Sequence, residues 1–451
     1  MKLEIMLTGL AMEVSYLAFT FISPGPGEVL LLIATHAVVF ALLALFIWRR
    51  KQTDTWRQWK TTDVFAVVLF GVVFRLTLVP HDVVGSDDIY RYLWDGKVLS
   101  AGINPYEYGP RDPHLAPLAT TELPALVNHP ELRTVYPPLA QAFFYVVNRV
   151  SGSSVSGFKS AVVLVDCLSI LLLLGVLRAG GRSPGLVTLY AWSPLPVLYF
   201  GLDGHIDALG ILFLLFFLLL MFGNRPLSGA LALGVSVLAK LSPLILAPFF
   251  LRPTRGVRRI VAPLLTCLLV GAGYLLFLEP TWGIIESLRT MGKLWEFNGG
   301  IFAVVYYFCN SNETAHLISA GMIFVFIVIL TFLDRPLIEK VFWAFAGLFL
   351  LSPVVHPWYL TWLAALLVLR WSTAIFAFLG LSVLANIVVY QFRAGAGWSD
   401  QPLLLAIEYV PVFILLVREV MKGEVLSSRA VESVPFTRQI AAPVKDYEDF
   451  T

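Results

Sequence analysis

Asp87, Asp88 and Asp95 stand beside Arg91, Tyr92 and Trp94 in the segment 81–106, HDVVGSDDIYRYLWDGKVLSAGINPY, directly after a hydrophobic span. A carboxylate in such a cluster can remove the proton from an attacking hydroxyl. Cations nearby can stabilise an anion as it departs. Other groups capable of chemistry interrupt otherwise apolar sequence: His205 and Asp207 in Gly201-Leu202-Asp203-Gly204-His205-Ile206-Asp207, Lys240 in Lys240-Leu241-Ser242-Pro243, Asn298, and His356. An ionisable residue at membrane depth costs about 2.5–3.5 kcal/mol on insertion scales, so His205, Asp207, Lys240 and His356 are functional candidates by default.

The 81–106 segment must be helical for its charges to act together. Asp88, Tyr92 and Asp95 recur at i, i+4 and i+7 and share one helix face. Asp87, Arg91 and Trp94 lie on the neighbouring face, where Arg91 can pair with Asp87. A plainer explanation has Ser86 capping the helix, with Asp87 and Asp88 favoured in its first turn by the helix dipole. A cap alone needs neither Asp95 nor the aromatic stripe. For Trp94, Tyr106 and Tyr136 an interfacial aromatic belt is an equally good account. Arg75, near the end of its span, is expected to snorkel. Glu13, Asp166 and Glu408 are explained at least as well by hydrogen bonds between helices.

Composition sets the class. Of 451 residues, 58% are hydrophobic and 14% charged, and the mean hydropathy is +0.79. Soluble domains carry about 25% charged residues. Apolar runs of the length needed to cross a bilayer recur along the chain, so the expected fold is all-α and polytopic. The net charge of +2 says little. Cys167, Cys267 and Cys309 form neither a disulfide framework nor a metal-ligand pattern. Glu13 interrupts the first apolar run and no small-residue cleavage site follows, so no cleavable signal peptide is expected.

Expected spans are 6–22, 28–48, 62–79, 158–178, 183–201, 207–223, 258–278, 315–333, 337–353, 357–370, 373–391 and 402–418. Basic residues in the short loops (Arg49, Arg50, Lys51, Arg57 and Lys60; Arg178 and Arg182; Arg225; Arg252, Arg255, Arg258 and Arg259; Arg335 and Lys340; Arg418 and Lys422) set the orientation. Twelve crossings place them and both termini in the cytoplasm and turn the long loop 80–157 outward. Residues 227–251 do not fit a simple span, because basic residues bracket both ends and Pro243 breaks the middle. They are expected to form two short helices folded back inside the membrane, buried in protein or lining a cavity. Leu139–Val150 is amphipathic and expected in the interface. Residues 1–422 then form one transmembrane domain, and 423–451 a polar, poorly ordered cytoplasmic tail. On this topology Asp87, Asp88, His205, Asp207, Asn298 and His356 converge on one outer leaflet.

These motifs resemble a known family. Asp87-Asp88-Ile89-Tyr90-Arg91-Tyr92-Leu93-Trp94-Asp95-Gly96, Gly102-Ile103-Asn104-Pro105-Tyr106, Tyr136-Pro137-Pro138 and Ser352-Pro353-Val354-Val355-His356-Pro357-Trp358-Tyr359 are similar to motifs of polyprenyl-phosphate-dependent mannosyltransferases of the GT-C superfamily. Glycosyltransferase family 87 and its bacterial relatives look nearest, over about residues 62–370. The resemblance implies inverting transfer of a hexose, mannose by analogy, from a polyprenyl-phosphate sugar to a glycolipid or polysaccharide. It implies a multi-pass protein of the plasma (inner) membrane with its site on the extracytoplasmic face and no nucleic acid among its partners. Asp88, within Asp-x-x-x-Tyr with Tyr92, matches the family base; Asp87 is the alternative. His356 and Lys240 match groups near donor phosphate or acceptor. Arg91, Tyr92, Asp95, Tyr136, His205, Asp207 and Asn298 join them as substrate-binding candidates. The chain departs from the family in having His356-Pro357 where a His-His pair is usual, and in its Asp-Asp doublet. A prenyl monophosphate leaves with less charge than a nucleotide diphosphate, so a dedicated metal is less necessary and no cofactor is expected, although adjacent carboxylates can bind a divalent cation. A lipid or sugar transporter, with broken helices at the midplane, and a non-catalytic lipid- or glycan-binding subunit are the competing readings.

Overall fold

The computed structural model describes residues 2–22, 25–52, 59–251, 256–277, 282–399 and 401–423. Arg57, Arg252, Arg255 and the tail 424–451 lie outside the described residues. The described chain is helical, with two isolated bridges, from Phe297 and from Asn298 to Val354, as its β contacts. In order, α1 is Lys2–Leu17, α2 Pro26–Gln52, α3 Thr61–Leu78, α4 Asp88–Ser100, α5 Pro138–Ser151 and α6 Val155–Ala179. Then come α7 Thr188–Ala191, α8 Pro194–Pro196, α9 Asp207–Phe222, α10 Pro226–Ala239, α11 Arg258–Leu275, α12 Trp282–Leu294 and α13 Gly300–Cys309. The last are α14 Asn312–Phe332, α15 Leu337–Leu351, α16 Thr361–Leu367, α17 Thr373–Leu381, α18 Asn386–Arg393 and α19 Pro402–Met421.

Serine caps start several long helices. Ser154, Ser311 and Ser372 each accept a first-turn N–H, from Gly157, Thr314 and Ile375, replacing a bond the helix cannot make for itself. The 27 residues of α2 extend about 40 Å. Among the described residues seven helices are long and apolar enough to cross a membrane: 2–21, α2, α3, α6, α11, α14 and the run 373–393. The expected span 183–201 is a pair of segments, Pro184–Ala191 and Pro194–Leu202, bent by 49°. The expected spans at 207–223, 337–353 and 357–370 are present as the shorter α9, α15 and 357–367. The helix at 402–418, α19, carries Glu408, Arg418 and Glu419. The protein is a polytopic helical membrane protein.

The break expected in 227–251 is present. Helix α10 stops at Ala239, Lys240 is extended (φ −152°, ψ 136°), and a 3-10 segment, Ser242–Leu251, follows. Pro243 lacks the N–H that would continue the helix. The stretch 139–150 forms α5, whose Ala140, Gln141, Phe144 and Val147 are buried against protein, while Tyr145, Val146 and Val150 are exposed.

Arg75 does not snorkel. It is fully buried, with Nε on Asp166 and Nη1 on the carbonyls of Gly71 (2.7 Å) and Ala191 (2.9 Å). The Tyr190 hydroxyl donates to the other Asp166 oxygen at 2.5 Å. Asp166, on α6, supplies an opposite charge in the interior, so the guanidinium has no reason to reach for water. Glu13 bonds across helices to Thr77, and Glu408 bonds to Asn298 in the turn before α13.

Breaking a buried pair strands the remaining charge. Arg75→Met or Asp166→Leu alone is expected to destabilise the protein by about 3–5 kcal/mol, seen as a lowered thermal midpoint in detergent. The double variant should lose less than the two single losses combined. Single variants with an unchanged midpoint would contradict this account.

Candidate active site

The chain enters the site through a backbone clamp. The Asp203 carboxylate accepts the N–H groups of Val84 (2.8 Å) and Gly85 (3.1 Å). A Cβ at residue 85 would stand 2.6 Å from Asp203 Oδ2, so only glycine permits the approach. The Ser86 hydroxyl then accepts the N–H of Asp88 at 3.2 Å, which relieves both aspartates of capping. Helix α4 follows, pressed on α5 at Gly96, where a Cβ would meet the Phe144 carbonyl at 2.5 Å.

Helix α4 divides its charges in a way spacing alone does not foretell. Arg91 pairs with Asp95 (2.9 Å) rather than with Asp87, and its Nη1 holds the Leu132 carbonyl at 3.0 Å. Gln141 on α5 donates to the second Asp95 oxygen at 3.1 Å and to Thr134 at 2.9 Å. Arg91 and Asp95 are both buried, and together they pin the loop 132–136 over α4. Asp87 is exposed. The Asp88 carboxylate, 23% exposed, faces the interior of the site, with Oδ2 3.9 Å from His205 Nδ1. Asn128 donates to Oδ1 of both Asp87 (2.7 Å) and Asp88 (3.0 Å). Burial and then the neighbouring Asp87 charge push the Asp88 carboxyl above the usual carboxylate range, against the lowering pull of Asn128 and Lys240.

Opposite Asp88 lies an anchored cation. Lys240, at the break after α10, donates to Asp207 Oδ2 at 3.2 Å. The Trp362 indole donates to Asp207 Oδ1 at 2.8 Å. Asp207 is wholly buried, whereas the Lys240 side chain keeps 21% of its surface exposed. Its ammonium lies 5.1 Å from the Tyr359 ring and 5.9 Å from the Tyr136 ring, a cation–π setting. Tyr136 packs edge-on against Tyr92 at 5.0 Å, and its carbonyl accepts the Tyr106 hydroxyl at 2.6 Å. Tyr92 reaches His205 Nδ1 at 3.5 Å.

The wall beside these groups is a stack of four rings. Phe297 lies on His356 (4.5 Å), His356 on Trp358 (4.1 Å), and Trp358 on His205 (4.1 Å), all at interplanar angles of 25° or less. Burial first, and then the Lys240 charge, lowers the basicity of both imidazoles; His356 falls to about 3 and His205 drops well below its ordinary value. Both are therefore neutral at physiological pH, able to hydrogen-bond without adding charge. His205 Nε2 is buried with no hydrogen-bond partner among the described residues. Asn298 stands behind this wall. Its amide donates to Glu408 (3.2 Å) and the Val355 carbonyl (3.4 Å), and the backbone of Phe297 bonds to Pro353 and Val355, holding the turn that presents His356.

Asp88, Tyr92, Tyr136, His205, Asp207, Lys240 and His356 are thus gathered in one place, while Asp87 sits at its edge. Arg91, Asp95 and Asn298 brace it from outside. Asn128, Trp362 and Asp203 were not singled out from sequence. Asn128 lies in an unpatterned loop, and Trp362 is one aromatic residue in an apolar run. Asp203 stands inside a quoted motif, but only its long-range bonds to Val84 and Gly85 reveal what it does. Among the described residues no group of three or more His, Cys, Asp or Glu side chains is placed to hold a metal ion.

An all-helical membrane protein with a half-shielded carboxylate facing an anchored ammonium has the parts of a group-transfer enzyme. Its sequence matches the family described as alpha-(1->6)-mannopyranosyltransferase, N-terminal domain, over residues 7–253. The chain belongs to this family and is a glycosyltransferase. A search of curated proteins finds no match.

The indole bond to Asp207 can be removed without losing the ring, because Trp362 also stacks on Phe345 at 5.1 Å. Trp362→Phe is expected to cost about 1.5–3 kcal/mol, the range for hydrogen bonds to charged groups, read as a drop in thermal midpoint. An unchanged midpoint would mean that Asp207 does not depend on this donor.

Proposed function

We propose that the enzyme transfers mannose from a polyprenyl-phosphate sugar to a hydroxyl of a glycolipid or polysaccharide acceptor, with inversion, at the extracytoplasmic face of the plasma membrane. The family name suggests an α-(1→6) linkage for the bond formed. Residues 1–422 form the catalytic unit in this reading.

The observation that carries it is the opposition of Asp88 to the Asp207-anchored Lys240 within one aromatic-walled site. Asp88 takes the proton from the acceptor hydroxyl as its oxygen bonds to the anomeric carbon. The bond from that carbon to the phosphate oxygen breaks at the same time, and its electron pair leaves with the polyprenyl phosphate. Lys240 faces that phosphate. An ammonium has three N–H donors, and among the described residues Asp207 is the one that accepts from it. Charge accumulating on the leaving group meets a cation already in place, which avoids reorganisation during the reaction. Tyr136 and Tyr359, both partly exposed, offer ring faces and hydroxyls for the sugar, wholly buried Tyr92 supports Tyr136, and neutral His205 and His356 offer hydrogen bonds. A single base suffices for inversion, so Asp87 needs no covalent role.

The transporter reading has less support here. It calls for a charged site reached from both sides, whereas the acidic and basic groups of this site lie together at one end of the helices, beneath α4.

Asp88→Asn is expected to reduce mannosyl transfer by about 100-fold or more while donor binding persists, and Asp87→Asn to have a much smaller effect. Because Asp88 must be ionised to act and its carboxyl is raised, activity should fall as pH drops through a value above the ordinary carboxylate range. The check is the rate of radiolabelled mannose transfer by the wild type and both variants across pH. Full activity of Asp88→Asn would exclude it as the base.

A further inference from the structure

Neither aspartate of the Asp87–Asp88 doublet is used for capping, and two adjacent carboxylates should repel. What stands between them is Asn128, whose Nδ2 donates to Oδ1 of each, at 2.7 and 3.0 Å. The amide orientation follows from the acceptors, since its carbonyl end would face two anionic oxygens. Asn128 is held in place on several sides. Arg91 grips the Leu132 carbonyl at 3.0 Å, Arg111 donates its N–H to Pro130 at 2.9 Å, and the His129 ring packs edge-on against Trp295 at 4.3 Å. His129 itself has φ +45°, a left-handed backbone uncommon outside glycine. The loop is thus tied both to α4 and to the residues following α12.

We propose that Asn128 is a positioning residue for the base: clamped between Asp87 and Asp88, it fixes Oδ1 of Asp88 and leaves Oδ2, the oxygen facing His205, to receive the acceptor proton. This rests on the reading of Asp88 as the base. Asp87 becomes the residue that holds Asn128 rather than a second catalytic acid. The choice of a neutral donor has a chemical reason. A cation between the aspartates would stabilise the charged carboxylate strongly and blunt its basicity, whereas an apolar residue would leave burial and the Asp87 and Asp207 charges opposed by Lys240 alone. An amide orients the carboxylate and lowers its proton affinity only modestly.

The two errors should move the pH profile in opposite directions. Asn128→Leu removes the donor, so the acid limb of kcat/KM is expected to shift to higher pH by roughly half a unit to one unit. Asn128→Lys places a charge there, and the limb should shift to lower pH with a reduced kcat. Asn128→Gln keeps the amide and should hold the limb near its original position. The experiment uses purified full-length protein in detergent, polyprenyl-phosphate-mannose as donor and native-host lipid as acceptor, with Asp88→Asn alongside. An acid limb that does not move in either Asn128→Leu or Asn128→Lys, while Asp88→Asn is inactive, would overturn the positioning role alone. An active Asp88→Asn would overturn the base assignment beneath it. Asn128 is only partly buried, and the thermal midpoint of each variant separates altered chemistry from failed folding.

Discussion

A carboxylate taken out of water must find partners for both of its oxygens, and Asp207 finds them on two different interruptions of the helical framework. Lys240 comes from the break after α10 and Trp362 from the α16 segment. Withdrawing either charge from water costs several kcal/mol, which only a well-made pair repays. The two breaks and the start of α9 are therefore bound to meet at one point. Close packing follows from that meeting. The indole of Trp362 lies where a Cβ on Gly210 would come within 2.5 Å, and the Ser236 hydroxyl bonds to the Gly210 carbonyl at 2.8 Å.

The Arg75–Asp166–Tyr190 cluster obeys the same rule with a different outcome. Both of its charges are wholly buried, and Arg75 commits Nε to Asp166 and Nη1 to two backbone carbonyls. It ties α3 and α6 together and offers nothing to a ligand. Lys240, by contrast, keeps about a fifth of its side chain open. The stacked wall from Phe297 to His205 adds polar edges without adding charge, so the field across the site runs between Asp88 and Lys240.

Local features of this architecture were legible in the sequence. The i, i+4 spacing from Asp88 to Tyr92 placed both on one face of a real helix, and Pro243 marked the break that brings Lys240 to the site. The all-helical membrane class followed from hydropathy alone. Pairings distant in sequence were not legible. Arg91 was free to choose between Asp87 and Asp95, and Gln141, 46 residues from Asp95, decided the matter by completing the second pair. Arg75 looked like a snorkelling residue because Asp166, 91 positions away, gives no local signal of its presence. Asn128 sits in a loop without periodicity, so nothing before the fold identifies its contact with the aspartates. Several expected spans are shorter than a bilayer crossing, because polar groups interrupt the helices where they line the site.

The central claim is that a single carboxylate drives one displacement on a lipid-linked donor. The most direct test is the stereochemistry of one turnover, following the anomeric configuration of the product by NMR when purified enzyme receives β-linked polyprenyl-phosphate-mannose. The account predicts an α-linked product from this donor and no transfer from a nucleotide-linked mannose. A β-linked product, or efficient use of the nucleotide sugar, would contradict it.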